Sequence, residues 1–183
     1  MNPVLSIGIT SYKRIKELKR CINSIDTKYA DDIEIIVSED CSPLSKEICE
    51  MVCDIGRTSK YKLRFMPNEY NLGYDGNLGA IIKKSRGKYV FLMSDDDAFY
   101  EGFLDILIPF IKDDRNDYGV IYAPFVYTSD KRKDRNYACD MVIEKGETNA
   151  SKHIYDSILF SGLIFRKEYV DCFDTRRFLN MNY

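Results

Sequence analysis

Three consecutive carboxylates, Asp95-Asp96-Asp97, follow Ser94 at the end of an apolar run, Tyr89-Val90-Phe91-Leu92-Met93. Adjacent carboxylates repel one another, which raises their pKa values unless a cation is at hand. A hard divalent ion relieves that repulsion: magnesium and manganese favour oxygen donors, commonly one or two carboxylates plus phosphate oxygens. The competing reading is a solvated turn that caps a helix starting near Tyr100, a place where Asp serves well. A second acidic pair, Glu39-Asp40, follows another apolar run, Ile35-Ile36-Val37, and leads into Cys41-Ser42-Pro43. An acid after the second strand of a nucleotide-binding fold accepts hydrogen bonds from ribose hydroxyls or base N–H groups. Its alternative is again a cap, with Asp40 or Ser42 opening a helix whose first turn holds Pro43.

Two further segments fit a nucleotide. Thr10-Ser11-Tyr12-Lys13-Arg14 carries hydroxyls, a ring and two cations where a dinucleotide fold would need a glycine-rich turn. That composition suits a base against the ring and phosphate charge met by side chains or metal. Asn68 to Asn77 contains Gly73 and Gly76 among several asparagines. It reads as a shaped loop in which Gly73 takes a positive φ or allows close backbone approach, leading to a helix N-terminus that favours anions.

The elements that must position these groups follow from periodicity. Val4–Thr10, Ile33–Ser38, Tyr61–Met66 and Tyr89–Met93 read as strands. Helical spacing links Ile15, Leu18, Ile22 and Ile25, then Ile48, Met51, Val52 and Ile55. Gly76–Ser85 and Glu101–Lys112 complete the helices of this part. The alternating order predicts an α/β fold, a Rossmann-like mostly parallel sheet with helices on both faces, whose ligands bind beyond the carboxyl ends of the strands. After Asp114 the pattern loosens. Tyr118–Tyr127 reads as one or two strands, Thr128–Tyr137 as a charged loop and Met141–Glu144 as a short strand. Ala150–Leu159 reads as a helix, Gly162–Phe165 as a strand and Lys167–Cys172 as a short helix.

With 183 residues, 45% of them hydrophobic, the chain suits one domain with a sizeable core. A net charge of −2 lacks the basic bias of nucleic-acid binders. The N-terminal stretch is too short and mixed for a secretory signal, and Phe103–Ile111 contains Asp105 and Pro109, so it cannot span a bilayer. A cytoplasmic location is expected, with room for peripheral association at the inner face of the membrane. Six cysteines without paired CxxC spacing, and a single histidine, His153, argue for reduced thiols and against zinc. Cys49 and Cys53, four apart, share one helix face.

Taken together, four segments in order resemble the family 2 glycosyltransferases. Ile7 to Arg14 resembles that family's first strand and T-x-Y-N-R-like turn, and Ile33 to Ser42 its EIIVVDDGS segment. Asn71-Leu72-Gly73 through Asn77 resembles its N-x-G…R-N loop, and Gly87 to Asp97 the segment with its DxD-type motif. A weaker echo follows in Phe160–Lys167 and Cys172-Phe173-Asp174. The resemblance implies one GT-A domain over residues 1–183, with 1–112 the nucleotide-binding part and 113–183 the acceptor-side part. It implies a metal-dependent transferase moving a sugar from a nucleotide-sugar donor, in first place a UDP-sugar. The acceptor would be a hydroxyl of a glycan or lipid-linked sugar, with inversion, in polysaccharide or cell-surface glycan synthesis. Asp40 would hold the base. Thr10, Tyr12, Arg14, Gly73 and Asn77 would line the nucleotide pocket. Asp95 would lie near ribose or metal, and Asp96 and Asp97 would hold Mn2+ or Mg2+. Departures are Lys13 for a common Asn, Glu39 for Asp, Ser94 for the first acid of the motif, and Gly76 for Arg. The family's catalytic base is expected beyond Tyr183, so the chain reads as a truncated catalytic domain. Asp156, Asp171 and Asp174 are not assigned that role. Two other readings remain: a donor-binding fragment without a base, and a nucleotidyltransferase, which usually has a glycine-rich basic loop that this chain lacks.

Overall fold

The computed structural model describes residues 2–124, 142 and 161–171. Strands β1 (Leu5–Ser11), β2 (Ile33–Glu39), β3 (Lys62–Pro67) and β4 (Tyr89–Ser94) alternate with helices α1 (Ile15–Asn23), α2 (Ser45–Thr58) and α3 (Gly73–Lys84). Helix α4 (Phe103–Lys112), strands β5 (Val120–Tyr122) and β6 (Leu163–Arg166), and helix α5 (Lys167–Asp171) follow. The six strands form one sheet in the order β3-β2-β1-β4-β6-β5. The first four are parallel, and β6 runs antiparallel to both β4 and β5. The expected mostly parallel sheet is therefore present, and the strand order reverses between β1 and β4.

Every residue of β2 is buried, as it must be in a central strand covered on both faces. Leu5, Ile7 and Ile9 of β1 and Ile33, Ile35 and Val37 of β2 meet Leu18 and Ile22 of α1, Ile48 and Val52 of α2, and Leu104, Ile108 and Ile111 of α4. On the opposite face, Val90, Leu92 and Phe165 pack against Ile81 of α3, with Val170 of α5 at the margin. Gly8 makes that second layer possible: a Cβ there would stand 2.1 Å from Ile81 Cγ2. At the amino ends of the strands, Gly87 lets the α3–β4 connection lie on β1, since a Cβ would meet the Ser6 nitrogen at 2.5 Å.

The sequence reading holds for these elements to within a few residues. The strand expected over Tyr118–Tyr127 is described as Val120–Tyr122, its remainder from Phe125 lying outside the described residues. The elements expected over 128–137, 141–144 and 150–159 also lie outside them, apart from Val142, as do Asp156 and Asp174. No described helix is long and apolar enough to cross a membrane.

Candidate donor site at the carboxyl ends of the strands

Neither Asp40 nor Asp95–Asp97 caps a helix, although the Ser42 hydroxyl accepts from the Leu44 amide at 3.3 Å in the turn that leads into α2. Helix α4 starts at Phe103, six residues after Asp97, with Gly102 before it at φ 76° and no side-chain cap among the described residues. Helix α2 starts at Ser45 with Leu44 before it, again without a side-chain cap. Asp40 instead faces the next loop. Its Oδ1 accepts from the Leu72 amide at 2.8 Å and from Asn68 Nδ2 at 3.0 Å. Its other oxygen accepts no hydrogen bond among the described residues.

Asn68 links this acid to the helix behind it, donating also to Asn77 Oδ1 at 3.0 Å, while Asn77 Nδ2 donates to the Ser38 carbonyl at 3.1 Å. Asn77 is thus buried with both its amide oxygen and its amide nitrogen hydrogen-bonded; it holds the 68–77 loop from beneath. Gly73 takes φ 70° as expected and opens α3, its amide donating to Asn71 Oδ1. The departure at Gly76 has a steric reason, for a Cβ there would approach Leu72 Cβ to 2.7 Å. Leu72 cannot give way easily, because Asp40 holds its amide.

At the switch point, β1 and β4 bring their turns together. Arg14 Nη1 donates to Asp95 Oδ1 at 3.2 Å and to Asp96 Oδ2 at 2.6 Å. The Tyr12 amide reaches Asp95 Oδ2 at 3.4 Å. Ser94 Oγ donates to Asp96 Oδ1 at 2.5 Å, and Arg20 holds the Asp96 carbonyl. Asp95 is buried, and that burial pushes its carboxyl up to about 6 against the pull of Arg14 and the Tyr12 amide. Burial works against the charge of Asp96 too, but the Ser94 hydroxyl and Arg14 outweigh it and hold that carboxyl below the usual range. Asp97 is exposed and its carboxylate accepts no hydrogen bond among the described residues. Thr10 is half-buried, in register with Ser38 on one side and Ser94 on the other. Tyr12 is exposed, with Lys13 Nζ 4.8 Å from its ring centre.

Asp95 and Asp96 therefore converge on one cationic nitrogen. Among the described residues, no group of three or more His, Cys, Asp or Glu side chains gathers to hold a metal. Asp96 and Asp97 are the exposed carboxylates of this turn, and two such oxygen donors fit an ion that completes its shell with phosphate oxygens and water. The sequence reading missed Arg20, Ser94 and Asn68 as partners of these acids. Only the asparagine-rich loop gave a signal; nothing in the spacing of Arg20 marks a contact with a carbonyl 76 positions on.

The family model described as Glycosyl transferase family 2 matches residues 6–173. The chain belongs to family 2 of the glycosyltransferases. It is 29% identical over 106 residues to a GalNAc(5)-diNAcBac-PP-undecaprenol beta-1,3-glucosyltransferase of Campylobacter jejuni, an alignment covering 58% of this chain and 34% of that protein. Among solved structures, S. aureus TarS superposes with a TM-score of 0.74 at 20% identity, covering 91% of this chain and 48% of that one. A mannosyltransferase of Pyrobaculum calidifontis, in complex with GDP-Man and Mn2+, superposes with a TM-score of 0.63 at 12% identity, covering 93% and 46%. These likenesses give the fold, which is GT-A. The family 2 chain spans about a third of the length of the curated relative it matches and about half of the solved chains.

Proposed function

We propose that this family 2 domain binds a nucleotide-sugar, in first place a UDP-sugar, and transfers the sugar with inversion to a hydroxyl of a glycan or lipid-linked acceptor. The observation that carries this reading is the meeting of Arg14 with Asp95 and Asp96 at the switch point, beside an Asp40 whose second oxygen is uncommitted. In the proposal that oxygen accepts from a base N–H. The Tyr12 ring packs on the base, Thr10 and Asp95 face the ribose, and Arg14 turns to the diphosphate. Gly73 and Asn77 act by shaping the loop that Asp40 holds. Mn2+ or Mg2+ lies on the Asp95–Asp97 turn, with Asp96 as principal ligand and Asp97 beside it. When bound, such an ion neutralises charge on the departing nucleoside diphosphate. Support for a UDP donor comes from TarS, solved with UDP-GlcNAc and with UDP. Support for manganese comes from the Pyrobaculum enzyme, and for a lipid-linked acceptor from the undecaprenol in the name of the Campylobacter relative. Work at the inner face of the membrane follows from such an acceptor.

Calorimetric titration of UDP, with GDP as comparator and with or without manganese, tests the reading. The expected result is metal-dependent binding that favours UDP, weakened more than about tenfold by Asp96→Asn, equivalent to at least about 1.4 kcal/mol. Equal binding by Asp96→Asn and the parent with manganese present overturns the metal assignment. Absence of binding by either nucleotide overturns the donor site.

A further inference from the structure

The outer surface of α2 carries a pair of thiols that the donor site does not use. Cys49 and Cys53 stand one helical turn apart with their sulfurs 4.0 Å from each other, Cys53 exposed and Cys49 half-buried. Their neighbours Ile48 and Val52 are the buried residues of α2, with Met51 and Ile55 packed beside them, so the thiols lie on the flank of the helix rather than in its core face. Both are free, as are Cys21 and Cys41.

The spacing discriminates between two fates for such a pair. Side chains four apart on a helix have Cβ atoms about 5–6 Å apart, whereas a disulfide needs about 3.5–4.5 Å. Direct S–S bonding would therefore require α2 to deform, against the hold of Ile48 and Val52. A single bridging atom imposes no such demand. With bonds of about 2.3 Å, two sulfurs stand about 3.4 Å apart on a pyramidal centre and about 4.6 Å apart on a linear one, and the 4.0 Å seen here lies between the two, within reach of side-chain rotation. Thiolates select soft, thiophilic centres over the hard cations of the donor site. Because no third His, Cys, Asp or Glu joins the pair among the described residues, the ligand must be one that two sulfurs satisfy.

We infer that Cys49 and Cys53 form a dithiol site on α2 for a soft, thiophilic centre that bonds to two sulfurs, such as a trivalent organoarsenical or a monovalent d10 metal ion. With an organoarsenous oxide, two S–H bonds and the As=O bond break, two As–S bonds form, and the oxygen leaves as water with both thiol protons. No oxidation state changes. Chelation by two sulfurs resists displacement by a monothiol, since both bonds must open together.

The test uses the reduced, folded full chain with phenylarsine oxide as probe, followed by a large excess of glutathione and intact-mass measurement. One phenylarsenic adduct per chain is expected to survive glutathione and to leave with dimercaptopropanol. It should persist in Cys41→Ser and in Cys139→Ser/Cys172→Ser, and be absent from Cys49→Ser and from Cys53→Ser, whose far-ultraviolet spectra should match the parent. Survival of the adduct in either α2 variant, or its absence from the parent, overturns the site. A Cys49–Cys53 disulfide formed readily with oxidised glutathione overturns the preference for a bridging atom. UDP titration of the same preparations reads the donor site separately, so failure of one assignment does not imply failure of the other.

Discussion

The two ends of the sheet both bury carboxylates, and they treat them differently. At the amino ends, Glu34 is saturated. Its Oε1 accepts from Ser6 Oγ at 2.7 Å and from the Arg86 amide at 2.7 Å, and its Oε2 accepts from Arg64 at 2.9 Å. The same arginine reaches the Lys84 carbonyl, and Ser6 Oγ also accepts from the Gly87 amide. At the carboxyl ends, one arginine is shared between Asp95 and Asp96. Among the described residues, one buried oxygen of Glu39 and the Ser11 and Ser38 hydroxyls have no partner. Two residues other than glycine, Lys13 and Cys41, sit at positive φ there. A polar network that satisfies itself stabilises a fold, and under the proposed function the groups left short at the carboxyl ends are the ones a donor would meet.

The largest expected effect lies at the saturated end. Glu34→Ala removes the acceptor for Ser6, Arg64 and the Arg86 amide together, and should cost about 3 kcal/mol in urea unfolding. Asp96→Asn, the matching change at the other end, should alter stability by less than about 0.5 kcal/mol while removing metal-dependent nucleotide binding. If the two variants lose stability equally, the distinction between the ends fails.

Gly8→Ala tests whether β1 and α3 form a rigid wall between the two ends. A methyl group 2.1 Å from Ile81 Cγ2 must displace that buried side chain and strain its packing on α3, the helix whose Asn77 supports the Asp40 loop. The expected cost is about 2 kcal/mol by the usual penalty of overpacking, together with weaker UDP binding, measured by denaturation and by titration. Lost stability with unchanged binding would mean that the loop is held by Asp40 and Asn68 alone.

The division between the ends explains what the sequence could disclose. Strands β1 to β4 were legible because buried apolar runs separated by helix-period segments leave few alternatives for an α/β sheet. The placement of the acids at the carboxyl ends of β2 and β4 was legible too, because they directly follow those apolar runs, and the topology rule makes those ends the place to look for ligands. Their partners were not. Asn68 and Arg20 contact groups 28 and 76 positions away, and no local pattern carries that information. The cap reading of the acids also could not be dismissed locally, since Asp and Ser favour helix starts. Only the observed starts of α2 and α4, at Ser45 and Phe103, decide against it.

The smallest expected effect probes the strain at the carboxyl end. Lys13 has φ 64°, a conformation that costs an L-residue about 1–2 kcal/mol and that Asn tolerates best after glycine. The resemblance puts Asn at this position in many family 2 members, so Lys13→Asn should relieve part of that cost. It also removes the cation 4.8 Å from the Tyr12 ring, a contact worth about 0.5–1 kcal/mol at an exposed site. The balance predicts a gain of a few tenths of a kcal/mol in urea unfolding. Tyr12→Leu separates the two terms, because with the ring gone Lys13→Asn should gain the full relief. A loss of stability from Lys13→Asn in the Tyr12→Leu background would show that the positive φ stores no strain. The carboxyl end would then differ from the amino end in its unmet hydrogen bonds alone.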